Sequence, residues 1–250
     1  MSKPEEKQKM RLNKYIAACG VCSRREADTL IFDGRVMVNG KAAEPGMQVS
    51  TEDIVLVNGK EVTSNPKVVL AYNKPVGVTC TEKDSFADRV ITKEIDYQDR
   101  VTYAGRLDKQ SEGLMILTND GDLIQAMMKG ANHHEKEYIV RVNKKITPEF
   151  IQKMKAGIFL SELNIKTRKC EVFKIDDFTF RIILTQGVNR QIRRMCKELN
   201  YEVKALKRIR VMNILLGDLK EGEYRVIEGK ELEILKKDSF GNSKTEEGHE

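Results

Sequence analysis

The sequence predicts an α+β fold in which short strands and amphipathic helices alternate along 250 residues. Two kinds of pattern carry this prediction. Short apolar stretches that end in turn residues, such as Val36–Val38 before Asn39-Gly40 and the stretch 68–72 before Pro75, are typical of strands. Stretches with apolar residues three and four apart, such as 12–19 and 190–199, are typical of helices with one buried face.

The composition favours a polyanionic partner and gives no sign of a membrane protein. The chain has 44 Lys and Arg against 38 Asp and Glu, a formal net charge of +6. No apolar run reaches the roughly 18 residues that a membrane-spanning helix needs, and residues 1–10 lack the apolar core of a signal peptide. We therefore expect a cytoplasmic protein with no membrane partner.

The sequence offers two weak candidates for a metal site. Cys19 and Cys22 have the spacing of half a zinc site or of a redox pair, but a second ligand pair is missing, and buried thiols explain them better. Asp120 and Asp122 lack the further acidic ligands of a calcium loop, and a turn followed by a helix N-cap explains them better. The five cysteines are odd in number and scattered, which argues against a disulfide framework. We expect no metal.

The chain divides into two predicted domains. The N-terminal one, 10–62, is a helix–helix–strand module whose second helix opens at the capping-box sequence Ser23–Glu26. The larger one spans 68–235. We expect a disordered lead at 1–9, a turn-rich linker at 63–67 and a solvated tail at 236–250.

A glycine-bounded loop, 105–114, is the first candidate functional element. It carries Arg106 and Asp108 between two apolar runs, and two strands that hold such a loop would present a carboxylate rigidly. The alternative interpretation is an ordinary hairpin loop with a solvated Arg–Asp pair.

The helix predicted at 190–199 is the second candidate. One stripe along it is apolar, and Arg190, Arg193, Arg194 and Lys197 form another at the same spacing. Residues 181–210 contain nine Lys and Arg against two acidic residues, a local net charge of +7, and Lys207 and Arg208 extend the basic stripe. Such a helix suits phosphate contacts or an arginine aimed at a buried carboxylate.

The N-terminal module resembles the RNA-binding domain first seen in ribosomal protein S-four. The segments 11–15, 23–28 and 34–40 carry the resemblance. Because 10–62 contains seven basic and seven acidic residues, any RNA-binding surface must be a local patch. The alternative is a set of solvated helix faces. The candidate RNA contacts are Arg11, Lys14, Arg24, Arg25 and Arg35.

Three motifs in the larger domain, Gly105–Asp108, Lys136–Tyr138 and Asn189–Met195, resemble pseudouridine synthases of the RsuA/RluF group, especially the RluF type. The resemblance covers 10–235. It implies a mixed or antiparallel sheet in the larger domain. It also implies isomerisation of uridine to pseudouridine in 23S rRNA without a cofactor. A tRNA anticodon uridine is an open second substrate.

The resemblance also implies residue roles. Asp108 would be the essential carboxylate, which either attacks the sugar or abstracts a proton, and Arg193 would be its salt-bridging partner. Tyr138 would stack on the base and Ile192 would line the pocket, while Arg106 would either fill the space left by the flipped nucleotide or contact a phosphate. Further RNA contacts are expected from Arg190, Arg194, Lys197, Lys207 and Arg208.

Three other functions remain compatible with parts of this pattern. The first is a synthase of the same group that acts on another rRNA uridine, and the second is a non-catalytic rRNA-binding or ribosome-assembly factor. A DNA-binding regulator built on the N-terminal helix pair is the third, although it would leave 68–235 without a purpose. We expect a monomer.

Overall fold

The computed structural model describes residues 9–81, 89–129 and 133–241. Their contacts form two compact units. The N-terminal unit contains the described residues up to Lys67 together with Tyr97–Val101, and the second unit contains the described residues of Val68–Asp96 and from Thr102 onward. The lead expected at 1–9 lies outside the described residues except for Lys9, and 242–250 of the expected tail lie outside them as well.

The N-terminal unit pairs two helices with short strands. Strands β2 and β5 lie at the centre of an antiparallel sheet with the order β3-β2-β5-β6, and β1 pairs with β4. A core of Leu12, Ile16, Ala27, Ile31 and Val36 lies between the helices and the strands. The elements are β1 (Met10–Arg11), α1 (Leu12–Ala18), α2 (Arg24–Phe32), β2 (Val36–Val38), β3 (Lys41–Ala42), β4 (Gln48–Val49), β5 (Val55–Val57) and β6 (Lys60–Glu61).

The predicted capping box of α2 is confirmed. The Ser23 hydroxyl accepts a hydrogen bond from the Glu26 backbone N–H at 3.3 Å, and the Glu26 carboxylate accepts one from the Ser23 backbone N–H at 3.0 Å. These two bonds satisfy donors that the first turn of a helix leaves without intrahelical partners. The start of α2 is therefore set by local sequence.

The second unit is built on one mixed sheet. Its elements are β7 (Val69–Lys74), β8 (Thr102–Tyr103), β9 (Glu112–Thr118), α3 (Gly121–Met128), β10 (Lys136–Val142), α4 (Pro148–Ala156), β11 (Phe159–Leu160), β12 (Ile165–Lys166), β13 (Glu171–Lys174), β14 (Thr179–Leu184), α5 (Gln191–Glu198), β15 (Val203–Val211), β16 (Ile214–Leu215), β17 (Tyr224–Val226) and α6 (Gly229–Phe240). The sheet order is β13-β14-β10-β15-β9-β7-β17, with β16 paired to β15 and β8 paired to β9. Strands β15 and β9 are parallel and the other pairs are antiparallel, which confirms the α+β fold with a mixed sheet.

Helices cover the sheet in two separate cores. Phe150 and Met154 of α4 and Met195 of α5 pack against Phe180 and Ile182 of β14. The other core joins α3 and α6 to strands β7 and β9. None of the described helices is long and apolar enough to cross a membrane.

The C-terminal helix corrects one expectation. The sequence analysis placed the start of a solvated tail at residue 236, but α6 continues to Phe240. Leu235 and Ser239 lie four residues apart on one face of this helix and are both fully buried. Because Ser239 is small and polar, the amphipathic pattern of this helix was too weak to detect in the sequence.

Candidate active site

The loop 104–111 is held between β8 and β9, as the glycine-bounded pattern predicted. The two strands pair antiparallel, with Thr102 opposite Thr118 and Tyr103 opposite Leu117. Within the loop, the Ser111 N–H donates to the Asp108 carbonyl at 3.0 Å, and the Gly77 N–H donates to the Lys109 carbonyl at 2.8 Å. The backbone at Asp108 and Lys109 is therefore fixed by hydrogen bonds.

Gly113 allows the strand after the loop to approach β15. Its φ is +107°, and a Cβ at this position would lie 2.3 Å from the carbonyl oxygen of Arg208. Only glycine tolerates both the left-handed backbone and this close contact. Any side chain at position 113 would push β9, and with it the Asp108 loop, away from β15.

A buried lysine supports the loop from below. Lys74 is fully buried, and its ammonium group donates to the carbonyls of Pro75 and Ser111 at 2.7 Å each. Burial lowers the pKa of Lys74, and the nearby carboxylate of Asp108 opposes this effect. Sequence reasoning placed Lys74 in the turn that closes the strand at 68–72. A lysine at the end of an apolar strand, directly before a proline, was the available signal.

Arg193 contacts both the loop and its carboxylate. Its guanidinium donates to the Gln110 carbonyl at 2.9 Å, to the Ser111 hydroxyl at 3.2 Å and to the Val203 carbonyl at 3.3 Å. The Nε atom lies 3.8 Å from Asp108 Oδ2, too far for a hydrogen bond, and among the described residues it has no other hydrogen-bond partner. Burial lowers the pKa of Arg193, as does the neighbouring Arg190, while Asp108 opposes both.

Arg190 is a second cation on the same carboxylate oxygen. Its Nη1 lies 3.7 Å from Asp108 Oδ2, and its Nη2 donates to the Gln110 side chain at 3.5 Å. The residue precedes α5 with φ at +52°, a left-handed conformation that is uncommon for arginine. Sequence reasoning expected an RNA contact here and missed the proximity to Asp108, because α5 and the loop are about eighty residues apart in sequence.

One pocket brings together the five residues for which catalytic or pocket roles were expected. Arg106 and Asp108 line it from the loop, and Tyr138 lines it from β10. Ile192 and Arg193 reach it from the first turn of α5. The remaining lining mixes apolar and polar residues: Leu107, Ser111, Leu184, Gln186, Gly187, Val188, Arg190, Gln191 and Leu206.

The expected RNA contacts differ widely in exposure. Arg11, Arg24, Arg25 and Arg35 of the N-terminal unit are exposed, and Lys14 is half-buried. In the second unit, Lys207 is half-buried and Lys197 is exposed. Arg194 and Lys197 both form ion pairs with Glu162, a residue that sequence reasoning did not connect to α5.

The expectation for Arg208 is wrong. This side chain is only 2% exposed, and its Nε donates to the carbonyl of Leu114 at 2.7 Å. Its Nη2 lies 3.0 Å from the sulfur of Met115. Arg208 therefore ties β15 to the strand that follows the Asp108 loop, and it cannot reach a phosphate.

Titratable side chains that could hold a metal do not cluster in the part of the chain that the structure describes: no group of three or more His, Cys, Asp or Glu side chains lies close enough together there. Cys19 is buried and Cys22 is half-buried, and both are free thiols. Asp120 caps α3, since its carboxylate accepts hydrogen bonds from the backbone N–H groups of Asp122 and Leu123. The turn and N-cap interpretation of Asp120 is confirmed.

Comparison with known proteins identifies the class of this fold and pocket. The family described as RNA pseudouridylate synthase matches residues 68–198, and the S4 domain family matches residues 10–55. A solved structure titled "Crystal structure of pseudouridylate synthase" has 28% sequence identity and a TM-score of 0.67, and the match covers 90% of this chain and 99% of that one. The chain belongs to the RNA pseudouridylate synthase family and is an RNA pseudouridine synthase.

Individual relatives narrow the class. The chain is 48% identical over 226 residues to the dual-specificity RNA pseudouridine synthase RluF of Escherichia coli, which covers 89% of this chain and 77% of the relative. It is 33% identical over 232 residues to the ribosomal large subunit pseudouridine synthase B of Bacillus subtilis, which covers 90% of this chain and 95% of that relative. The expected RsuA/RluF type with an S4 domain is thereby confirmed.

Proposed function

We propose that this synthase converts specific uridines of 23S rRNA, and a uridine in a tRNA anticodon, to pseudouridine with Asp108 as the essential carboxylate. One observation carries the proposal: Asp108, the two arginines within 4 Å of it, Tyr138 and Ile192 line a single pocket. A flipped uridine needs these components, namely an acidic group, a ring to stack on and an apolar floor.

The reaction conserves atoms and electrons. The bond between uracil N1 and ribose C1′ breaks, a bond between C5 and C1′ forms, the proton on C5 leaves and N1 gains a proton. In this proposal Asp108 assists the cleavage, either by attacking C1′ or by removing the proton on C2′. Both routes require a carboxylate, and the positive charges of Arg190 and Arg193 stabilise it in a pocket from which RNA excludes water.

Tyr138 and Ile192 would hold the detached base. The Tyr138 ring, half-buried at the pocket wall, would stack on uracil while the base turns from N1 to C5, and its hydroxyl would move a proton. Ile192, which is buried, provides an apolar surface that does not bind either edge of the base. Such a surface permits rotation, because it offers no hydrogen bond that would fix one orientation.

Arg106 would keep the nucleotide out of the helix. It is exposed at the rim of the pocket, and we propose that it occupies the space that the flipped nucleotide leaves. A phosphate contact is the alternative, and Arg106→Lys separates the two roles. A lysine retains the phosphate contact but fills the vacated space poorly, so a large loss of kcat would favour the first role.

A set of exposed and half-buried cations would bind the surrounding RNA in the cytoplasm, with the protein as a monomer. In the N-terminal unit these are Arg11, Lys14, Arg24, Arg25 and Arg35, and in the catalytic unit they are Arg190, Arg194, Lys197 and Lys207. The names of the relatives, one called dual-specificity and the other a large-subunit enzyme, fit the choice of 23S rRNA and tRNA. Arg208 has no part in this surface.

Mapping pseudouridine in cellular RNA tests the proposal. A strain without this gene should lack pseudouridine at one or a few 23S rRNA positions and in one tRNA, and the native gene should restore them. The Asp108→Asn gene, expressed to the same level, should not. Loss of sites only in other RNAs would overturn the substrate assignment, and unchanged maps would favour a non-catalytic role in ribosome assembly.

A further inference from the structure

A buried carboxylate lies directly behind the proposed stacking residue. Glu137 precedes Tyr138 on β10 and is only 7% exposed. Successive residues of a strand point to opposite faces of the sheet, so Tyr138 faces the pocket while Glu137 faces away from it. Glu137 therefore cannot touch a substrate in the pocket, and its burial calls for another explanation.

Two arginines from the neighbouring strands bind Glu137. Arg210 of β15 donates from Nε to the carboxylate at 2.7 Å, and Arg181 of β14 donates from Nη1 at 3.3 Å. Arg210 also donates to the carbonyl of Met212 at 2.9 Å and to the carboxylate of Glu135 at 3.0 Å. The side chains of Glu137 and Arg210 thus fasten three adjacent strands together at the level of Tyr138.

The same position carries an irregularity in the sheet. Glu137 is paired with Arg210, but Tyr138 is paired with Arg208, so that Ile209 is an extra residue in β15. Such β-bulges are common next to active sites, where they redirect a side chain. The Glu137–Arg210 ion pair lies on one face of the sheet at this bulge. Arg208 lies on the other face and donates to the carbonyl of Leu114. The bulged strand β15 therefore connects β10, which carries Tyr138, to β9, which follows Asp108.

We propose that the Glu137–Arg210 ion pair is a positioning device that holds the bulge at Ile209 and thereby sets the place of Tyr138 relative to Asp108. This inference rests on the proposed function, since it assigns Glu137 a role only through Tyr138. Buried ion pairs contribute little net stability because desolvation offsets their attraction, but they can specify one geometry. A surface pair at the same register would not fix the strands in this way.

Glu137→Gln tests the inference, because glutamine keeps the shape and one acceptor oxygen but removes the charge. The matched control is Glu135→Gln, which removes a half-exposed acceptor from the same Arg210. Glu137→Gln should lower kcat at least about tenfold with KM for RNA within about twofold, whereas Glu135→Gln should change both less than twofold. Thermal unfolding establishes that both variants are folded at the assay temperature. If Glu137→Gln does not fold, Arg210→Lys should show the same separation of kcat from KM.

A signal from the Tyr138 ring separates positioning from a general loss of structure. The seven tyrosines can be labelled with ¹³C in the ring, and Tyr138 is assigned by the signal that disappears in Tyr138→Phe. This signal should move in Glu137→Gln and stay in place in Glu135→Gln. An unchanged kcat in Glu137→Gln, or a reduced kcat with an unmoved Tyr138 signal, would overturn the inference.

One further variant separates failure of this inference from failure of the proposed function. If Tyr138→Ala keeps nearly normal activity, the proposed role of Tyr138 is wrong and Glu137 has nothing to position. If Tyr138→Ala is inactive while Glu137→Gln keeps full kcat, only the positioning inference fails.

Discussion

The cations of the two units differ in where they lie, although the sequence presents them in similar patterns. In the N-terminal unit, Arg11, Arg24 and Arg25 are exposed to solvent. In the catalytic unit, Lys74 and Arg208 are buried and donate to backbone carbonyls around the Asp108 loop. An exposed basic residue can attract RNA, whereas a buried one can stabilise the fold as a hydrogen-bond donor. The sequence alone does not distinguish the two, because it does not show which residues are buried.

The largest difference is expected between two adjacent arginines of α5, Arg193 and Arg194. Arg193→Met removes a cation 3.8 Å from Asp108 and three hydrogen bonds to backbone and side-chain groups, so kcat should fall about 100-fold or more. Arg194→Met removes a cation that pairs with Glu162 and should mainly raise KM by a few-fold. Steady-state kinetics on one RNA measures both. If the two substitutions changed kcat and KM equally, Arg193 and Arg194 would not have different roles.

Neighbouring residues of β15 provide a second contrast. Arg208→Ala leaves the buried carbonyl of Leu114 without its donor and should lower the free energy of unfolding by about 2–4 kcal/mol. Lys207→Ala, on the half-buried next position, should change it by less than about 1 kcal/mol. Urea denaturation of both variants provides the measurement. If Arg208→Ala proved as stable as the native chain, its assignment as a structural donor would be wrong.

The exposed cations of the N-terminal unit should act through salt-dependent binding. Replacing Arg11, Arg24 and Arg25 together by Gln should weaken RNA binding about tenfold at low salt and reduce the slope of log Kd against log salt by about one unit or more. The free energy of unfolding should hardly change, since exposed charges contribute little to stability. Salt titrations of Kd check this, and an unaltered slope would remove these residues from the RNA-binding surface.

A pH-dependent effect is expected at Lys136, at the start of β10. Burial lowers its pKa from 10.5 to about 8, with a further contribution from Arg208. Between pH 8 and 10.5 the unfolded chain therefore binds more protons at this group than the folded chain does, and its contribution to stability rises with pH. The free energy of unfolding of Lys136→Met relative to the native chain should accordingly decrease as pH rises from 7 to 9.5. If the difference in free energy of unfolding did not depend on pH, the pKa of Lys136 would not be lowered in the folded chain.

Local patterns in the sequence predicted much of this structure. Ser23 before Glu26 marked a helix start that the structure confirms. The Asp108 loop was predicted because its glycines and the flanking apolar runs are contiguous in sequence. Each of these signals depends on residues only a few positions apart.

Features set by distant contacts could not be predicted in the same way. Arg208 was assigned to the basic stripe, because the bulge at Ile209 appears only once β15 is paired with β10. Glu162 pairs with Arg194 and Lys197 from more than thirty residues away. Arg190 was expected to contact RNA but not Asp108, because only the packing of α5 brings it close to that carboxylate.

The central claim is that Asp108 performs the chemistry while other residues bind the RNA. Purified Asp108→Asn should form no detectable pseudouridine in an RNA that the native protein modifies, and its Kd for that RNA should stay within about threefold of the native value. The substitution keeps the size of a half-buried side chain, and the backbone hydrogen bonds of the loop do not involve the carboxylate, so the fold should be retained. Turnover by Asp108→Asn at more than about one hundredth of the native rate would contradict the account.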